Sequence, residues 1–448
     1  MPRLAPELIL RILAHVDQDY NTSHSFDLLS CSLVCRQWYQ CALPFLEDNK
    51  PYVNCQILSY TNPELERLAT LMTESRRYGL DHGSFIERVD FHLRPLVTPE
   101  FDHERVEILG RLFSALRPHT KSMMLTASYI YSDRTELANA RRFVSQIRPN
   151  LTSITTLHIS CLDPSMSRPR NLMAHVFPSF AHPIFALIHN LRRNLQHIHF
   201  TDSRLPRPLL QILGTCSKIR TARLECFDDH PPRPIALADT IASWRNLRNL
   251  CIRSQNAWGD RVQLAPTLAR LARFPPPNLE VLELDNQQHT NRHHHPNQSE
   301  PALFPNLRIL LSRCASTLVH VALPSMALEP DGTFDAIVGF LVELEMPRLR
   351  ILDLSRPLYS MADSKFTLVP PYADFGKLPW PELRHLDMSN CWYITSAFLG
   401  VVIRSCPELR SLLLRSHVDG VKGDISALSD AGFVRGLHAG AAMWRHPE

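Results

Sequence analysis

One hydrophobic pattern recurs after residue 80 and constrains the fold more than any other feature of the chain. An apolar anchor is followed by two variable positions, an apolar residue, one variable position and a further apolar residue. The copies are Ile86/Val89/Phe91, Ile154/Leu157/Ile159, Leu195/Ile198/Phe200, Ile219/Ala222/Leu224, Leu247/Leu250/Ile252, Leu279/Leu282/Leu284, Leu349/Leu352/Leu354, Leu383/Leu386/Met388 and Leu409/Leu412/Leu414, with Leu307/Leu310/Ser312 as a partial match. We call this pattern the apolar triplet.

The apolar triplet predicts short strands that bury one face. Its last two apolar positions lie two residues apart, so they point to the same side of a strand, and the anchor closes the turn that enters it. Amphipathic stretches between copies indicate parallel strands joined by helices. A doubly wound sheet or a barrel would also alternate strands and helices. Neither requires the same register at nearly every strand, so we expect stacked repeats that form one continuous core.

The outward positions of the predicted strands form a row of polar side chains. The candidate binding residues on it are His158, His197, His199, Arg223, Arg253, Glu283, Asp353, His385, Asp387 and Arg415. This row is either a surface that holds a protein substrate or an ordinary solvated face, with binding left to loops.

Two further features have competing interpretations. Arginine follows the anchor at Arg220, Arg248, Arg308, Arg350, Arg384 and Arg410. These side chains either form a basic edge that recognises acidic or phosphorylated segments, or simply cover the turns. The stretch from His289 to His295 contains four histidines; its polar surroundings favour a loop over a metal site.

The first 80 residues are predicted to be helical. Glu7–Val16 places Leu8, Ile12 and Leu13 on one face, and a second helix is expected over 27–40, with Pro44 just beyond its end. A third helix is expected from Glu64 to Tyr78, and an amphipathic one follows from Glu104 to Leu116.

Two segments of the N-terminal region resemble the F-box family. They are Leu4-Ala5-Pro6-Glu7-Leu8 and the run from Leu28 to Trp38, which ends in Leu-Val-Cys-Arg-Gln-Trp. The resemblance implies docking onto the Skp-type linker subunit of a cullin–RING ubiquitin ligase. Carried over by position, the interface would comprise Leu4, Pro6, Leu8, Ile12, Leu33, Val34, Cys35 and Trp38. The alternative is that several of these side chains form the core of the module itself.

The repeats near the C-terminus resemble the cysteine-containing leucine-rich repeats of F-box proteins. The similarity lies in Leu386-Asp387-Met388-Ser389-Asn390-Cys391 and in Cys406-Pro407-Glu408-Leu409. Anchors lie mostly about 24 to about 42 residues apart, near and above the period of such repeats. The implied fold is α/β: a three-helix F-box module, then a leucine-rich-repeat solenoid with parallel strands on its concave face and helices on its convex face. The expected domains are 1–46 (F-box), 47–80 (helical linker), 81–440 (repeats) and 441–448 (tail).

Composition and motifs exclude several other classes of protein. The net charge is only +4 without a long basic run, so no nucleic-acid partner is expected. We find no apolar stretch long enough for a membrane span, no phosphate-binding glycine loop and no Cys-x-x-Cys pair. The eleven cysteines and the absence of a signal-peptide pattern predict an intracellular protein, in the cytoplasm or nucleus.

The sequence therefore predicts a non-catalytic adaptor without a cofactor. Its partners would be a Skp-type linker, through it a cullin, and an unknown protein substrate. The alternatives are a leucine-rich-repeat scaffold unconnected with ubiquitin ligation and, with least support, an enzyme with an unrecognised site.

Overall fold

Strands and helices alternate along most of the described chain, as the sequence predicts. The computed structural model describes residues 5–18, 31, 36–48, 62–77, 88–93, 103–116, 120–128, 142, 144–147, 151–162, 185–203, 205, 207–227, 234–256, 264–288, 303–323, 340–355, 378–388, 396–415, 426–438 and 441–445. The chain divides into two compact units, residues 1–198 and 199–448. The protein is thus of the mixed α/β class.

The first unit begins with two helices, α1 (Pro6–Gln18) and α2 (Arg36–Asp48). The sequence places the end of the second helix near Gln40, and this is wrong, because α2 continues through Pro44. A proline inside a helix removes one hydrogen bond. The half-buried side chain of Phe45 packs onto the core of α1 and α2 beyond that point, which favours continuing the helix.

The rest of the first unit contains two longer helices and three parallel strands. These are α3 (Asn62–Arg77), β1 (Arg88–Leu93), α4 (His103–Leu116), β2 (Ser122–Ser128) and β3 (Thr156–Leu162). Residues 144–147 and 185–191 are also helical. Both predicted helices are confirmed, and α4 buries Leu109, Leu112, Phe113 and Leu116. Helices α3 and α4 are joined by a bidentate ion pair between Arg111 and Glu66.

The second unit repeats the alternation. Strand β4 (His197–Ser203) spans the division, and the following elements are α5 (Arg207–Leu213), β5 (Thr221–Phe227), α6 (Pro234–Ser243), β6 (Asn249–Asn256), α7 (Leu264–Arg273), β7 (Val281–Gln288), α8 (Leu303–Cys314), β8 (His320–Ala322), β9 (Ile351–Asp353), β10 (His385–Met388), α9 (Ser396–Ser405), β11 (Ser411–Arg415), α10 (Ser426–Asp430), β12 (Val434–His438) and β13 (Ala441–Arg445). Residues 340–343 form a further helical turn.

Parallel pairing aligns the middle positions of the apolar triplets across the second unit. Neighbouring strands from β5 to β11 pair in chain order. The aligned row is Ala222, Leu250, Leu282, Val321, Leu352, Leu386 and Leu412, and every member is buried. A one-residue slip would move a whole strand's apolar set to the opposite face. The repeated burial therefore fixes the register.

Eight strands, β3, β4 and β6 to β11, begin with the same backbone contact. The carbonyl of the residue after the anchor accepts hydrogen bonds from two successive amides of the next repeat. Arg220 O accepts from the amides of Arg248 and Asn249, at 2.8 and 2.9 Å. The same pair of bonds is made to Lys121, Thr155, Arg248, Glu280, Val319, Arg350 and Arg384. Within each unit, these bonds satisfy backbone groups that the turns would otherwise leave unpaired.

One predicted copy of the apolar triplet in the second unit is wrong. Leu307/Leu310/Ser312 is not a strand but part of α8, which buries Leu307, Leu310, Leu311 and Cys314. Three-residue spacing also fits one side of a helix, so the first half of the triplet does not distinguish the two structures. The strand is instead β8, with Leu318, Val321 and Leu323 buried.

The expected tail at 441–448 contains a strand. Residues Ala441–Arg445 form β13, which lies between β11 and β12 and pairs antiparallel with both. Trp444 is buried opposite Leu412. Burying this large ring at the end of the sheet explains why the segment is ordered as a strand.

Gly432 is required by the turn between α10 and β12. Its φ is 84°, and its amide and that of Phe433 donate to Ser429 O and Leu428 O, each at 2.9 Å. Because a Cβ is strained at this φ, Gly432→Ala is expected to lower the free energy of unfolding by about 1 kcal/mol. Urea denaturation followed by circular dichroism measures this. Ser429→Ala, on the exposed side of the same turn, serves as the control, and equal stability of the two variants would contradict the argument.

Candidate functional site

The N-terminal module, defined here as α1 and α2, has a small core. Ile9, Leu13 and Ala42 are fully buried, with Trp38 and Phe45 packed against them and partly exposed. Cys31 and Cys41 also pack onto this core. The core uses only one side of α1, which leaves the other apolar residues of this helix without cover from the module.

Three large apolar side chains of α1 face solvent. Leu8 is 49% exposed, Leu10 39% and Ile12 42%. Leu8 and Ile12 are one helical turn apart, so they form a continuous apolar strip. We call Leu8 and Ile12 the α1 strip. The prediction that Leu13 shares their face is wrong, because Leu13 is fully buried.

The predicted linker interface is only partly within the described residues. Pro6 is exposed at the start of α1, the α1 strip is exposed, and Trp38 is half-buried against the module's core. Leu4, Leu33, Val34 and Cys35 have no described side chain. The alternative that Leu8 and Ile12 belong to the module's own core does not fit their exposure.

A second candidate site lies on the outward face of the sheet in the second unit. Six side chains from five consecutive strands meet there: His199, Arg223, Glu225, Arg253, Glu283 and His320. We call them the polar cluster. Each acidic member lies between arginine or histidine neighbours along the strand order.

Glu225 is the centre of the polar cluster. Its side chain is only 7% exposed, and Oε1 lies 2.7 Å from Arg223 Nε, 3.4 Å from Arg253 Nη1 and 3.8 Å from His199 Nε2. Hydrogen bonding to His199 and Arg223 outweighs the effect of burial and lowers the pKa of Glu225 to about 2. Glu225 is therefore ionised at neutral pH.

The cluster continues through Glu283. Its carboxylate lies 3.6 Å from Arg253 Nη2 and 3.9 Å from His320 Nδ1. Cys251 occupies the outward position between Arg223 and Glu283 in the strand pairing. Burial and the nearby Glu283 carboxylate raise the pKa of the Cys251 thiol to about 12, so this thiol stays protonated at neutral pH and is a poor nucleophile.

Glu225 is expected to stabilise the protein in a pH-dependent way. Its folded pKa lies below the ordinary value of 4.5, so its contribution is complete above that value and is lost as the pH falls towards 2. At pH 7, Glu225→Gln should lower the unfolding free energy by about 2 to 3 kcal/mol. Urea denaturation at pH 7 and pH 3 should show a smaller difference at pH 3.

The control for this measurement is Glu382→Gln. Glu382 contacts Arg350 at 3.1 Å in an exposed ion pair, which should contribute at most about 1 kcal/mol. A Glu225→Gln effect that is as small as the control's, or that does not change with pH, would contradict the role assigned to Glu225.

Four of the ten predicted face residues belong to the polar cluster. His199, Arg223, Arg253 and Glu283 join the polar cluster, whereas Asp353, His385 and Asp387 lie on β9 and β10. His385 Nδ1 is 2.6 Å from Ser411 Oγ; burial, Arg410 and Arg384 lower the pKa of its imidazole. His158 and His197 are on β3 and β4, and Arg415 ends β11 with its side chain outside the described part.

The sequence prediction missed Glu225 and His320. Glu225 is the sixth residue after its anchor Ile219. A residue at this position points to the same outward side of the strand as those two and four after the anchor, and this spacing could have identified it. His320 was missed because its strand was not recognised as a copy of the triplet.

Three of the six arginines that follow an anchor contact a glutamate in a neighbouring turn. Arg248 contacts Glu280 at 3.3 Å, Arg350 contacts Glu382 at 3.1 Å and Arg384 contacts Glu408 at 3.9 Å. Arg308 is in α8 and lies over the ring of Phe340, at 5.1 Å from its centroid. These contacts favour the interpretation that the arginines cover the turns.

Within the described ranges, no group of three or more His, Cys, Asp or Glu side chains has the arrangement of a metal site. The histidines of 289–295 lie outside the described residues. None of the described helices is both long and apolar enough to cross a membrane.

Comparison with known proteins identifies the N-terminal region. An F-box-like family model matches residues 3–46, which include both helices of the N-terminal module up to Leu46. The chain therefore contains an F-box-like domain, and this domain indicates a role in substrate recognition by an SCF ubiquitin ligase. No curated protein sequence matches the chain.

Proposed function

We propose that this protein is a substrate-recognition adaptor of an SCF-type cullin–RING ubiquitin ligase. Its F-box-like domain would dock a Skp-type linker subunit and through it a cullin, while the later repeats bind a target protein. The observation that carries the proposal is the α1 strip: the F-box-like domain leaves Leu8 and Ile12 exposed beside its own core. Exposed apolar strips of this kind are typical of protein interfaces.

We also propose that residues 81–445 form an irregular leucine-rich-repeat solenoid. This range extends the repeat domain expected from the sequence, 81–440, so that it includes β13. Three observations support this assignment: the recurring apolar triplet, the aligned buried row of the second unit and the repeated carbonyl contact at strand entry. Stacked repeats of this kind bury their hydrophobic faces only against their neighbours. The 47–80 segment, with α3, remains the proposed helical linker.

The proposed mechanism is non-catalytic. F-box proteins are generally adaptors, and holding a target beside a charged ubiquitin carrier raises the effective concentration of its lysines without bond chemistry by the adaptor. We propose that the protein acts inside the cell. The free thiols of Cys251, Cys314 and Cys406 support a reducing compartment.

Reconstitution tests the proposal against the scaffold alternative. The full chain is mixed with purified linker, cullin and RING subunits in reducing buffer and separated by size-exclusion chromatography. An adaptor is expected to co-elute with all three subunits, and to do so only when the linker is present. Elution of the folded chain alone would contradict the ligase role and leave a repeat scaffold.

A further inference from the structure

The buried carboxylate of Glu225 fixes the orientation of two arginines on the outward sheet face. Arg223 and Arg253 come from adjacent strands, and both direct guanidinium nitrogens at Glu225 Oε1. The two side chains nevertheless remain 39% and 33% exposed, against 7% for Glu225. The carboxylate of Glu225 is thus more deeply buried than the two guanidinium groups, which remain accessible to solvent.

Arg223 retains donors for a ligand. It contacts Glu225 through Nε, and within the described part of the chain no contact of its Nη1 or Nη2 is found. A guanidinium presents paired N–H groups in a fixed planar fork that matches a carboxylate or phosphate. Because Glu225 immobilises this fork, less side-chain entropy would be lost when an anion binds.

The acidic members of the polar cluster leave Arg223 more available to an anion than Arg253. Glu225 is covered and already contacts three groups. Glu283, whose side chain is 25% exposed, lies 3.6 Å from Arg253 Nη2 and partly neutralises that arginine. Because Glu283 is on β7, two strands from Arg223 on β5, Arg223 is the principal candidate to contact an anion.

We propose that the polar cluster is the site where the protein recognises an acidic segment of its target, with Arg223 as the principal contact and Arg253 as the second. His199 borders the same site and lies 3.0 Å from Thr201 Oγ1. This inference rests on the proposed function, because it assumes that the repeats bind a target protein. The recognised chemistry is a carboxylate or phosphate group on an extended peptide.

Peptide arrays test the proposal on the full chain. Dodecapeptides with shared random positions carry glutamate, phosphoserine, glutamine or lysine at four fixed positions. Bound wild-type protein is compared with Arg223→Gln, Arg223→Lys and Arg248→Gln, each checked by circular dichroism. Arg248→Gln removes the same charge at an exposed turn and serves as the matched control.

The proposal expects retention on the glutamate or phosphoserine sets in preference to the glutamine and lysine sets. Stronger retention on phosphoserine would assign the anion to phosphorylation, and equal retention would assign it to negative charge in general. Arg223→Gln should weaken binding about 10- to 100-fold, from the loss of charge-assisted hydrogen bonds. Arg223→Lys should bind with intermediate affinity, while Arg248→Gln should bind as wild type does.

Measuring linker binding with the same preparations separates the acidic-segment proposal from the proposed adaptor function. If wild type binds the linker but shows no preference for the acidic sets, or if Arg248→Gln weakens binding as much as Arg223→Gln does, the acidic-segment proposal is overturned and the adaptor role stands. If acidic peptides bind but the linker does not, the adaptor role fails and the site on the sheet stands.

Discussion

Replacing Leu8 and Ile12 together by aspartate is expected to abolish binding of the Skp-type linker while leaving the N-terminal module folded. The two side chains are about half exposed and lie outside the core formed by Ile9, Leu13 and Ala42. Exposed positions usually tolerate polar substitution with little loss of stability. Truncating anchor residues of an interface costs about 2 kcal/mol or more each, so the double change should weaken binding at least about 100-fold.

The matched control is Leu71→Asp. Leu71 is 41% exposed on α3, outside residues 3–46, so the change adds a charge to an exposed apolar helical site that is not part of the F-box-like domain. Isothermal titration calorimetry with purified linker measures all three proteins, with thermal denaturation to show that each is folded. Wild-type affinity in the double variant, or an equal loss in Leu71→Asp, would contradict the assignment of the α1 strip.

Trp244→Ala is expected to be the most destabilising single change in the second unit. The ring is buried between repeats, and its Nε1 donates to Leu213 O at 2.9 Å. Removing the ring leaves a large cavity and takes away one of the two hydrogen bonds that Leu213 O accepts, the other coming from the Cys216 amide at 3.0 Å. The cavity should lower the unfolding free energy by about 3 to 5 kcal/mol. Urea denaturation followed by circular dichroism gives the value without relying on tryptophan fluorescence.

Two phenylalanine variants separate the cavity from the hydrogen bond. Trp244→Phe keeps much of the volume but loses the bond to Leu213. Trp380 is also buried, but its Nε1 has no hydrogen-bond partner among the described residues. Trp380→Phe should therefore cost about 1 kcal/mol less than Trp244→Phe. A Trp244→Ala variant as stable as wild type would show that the ring does not hold these repeats together.

The strand register was predictable because burial alternates with a period of two along a strand. Leu250 and Ile252 are both buried, as are Leu282 and Leu284, and the sequence shows this parity directly. Leu307 and Leu310 misled the prediction because a three-residue spacing also suits a helix. The middle position of this repeat is occupied by Val321 in β8. The sequence pattern did not show it because β8 has only three residues.

The same alternation predicted which residues point outward from the sheet. It did not predict which of these polar residues contact one another to form the polar cluster. Which polar residues meet depends on side-chain length and on contacts across strands. Glu225 reaches Arg223 on its own strand and Arg253 on the next, whereas His385 pairs with Ser411. Similarly, helical spacing could not tell that Leu13 is buried with Ile9 while Leu8 and Ile12 are exposed, since this depends on where α2 packs.

Hydrogen exchange measured by mass spectrometry tests the central claim most directly. The full chain is compared with and without saturating linker subunit. The adaptor account predicts slower exchange in peptides from residues 6–18 and unchanged exchange in β5, β6 and β7. Unchanged exchange in residues 6–18, or protection confined to the strands, would contradict it.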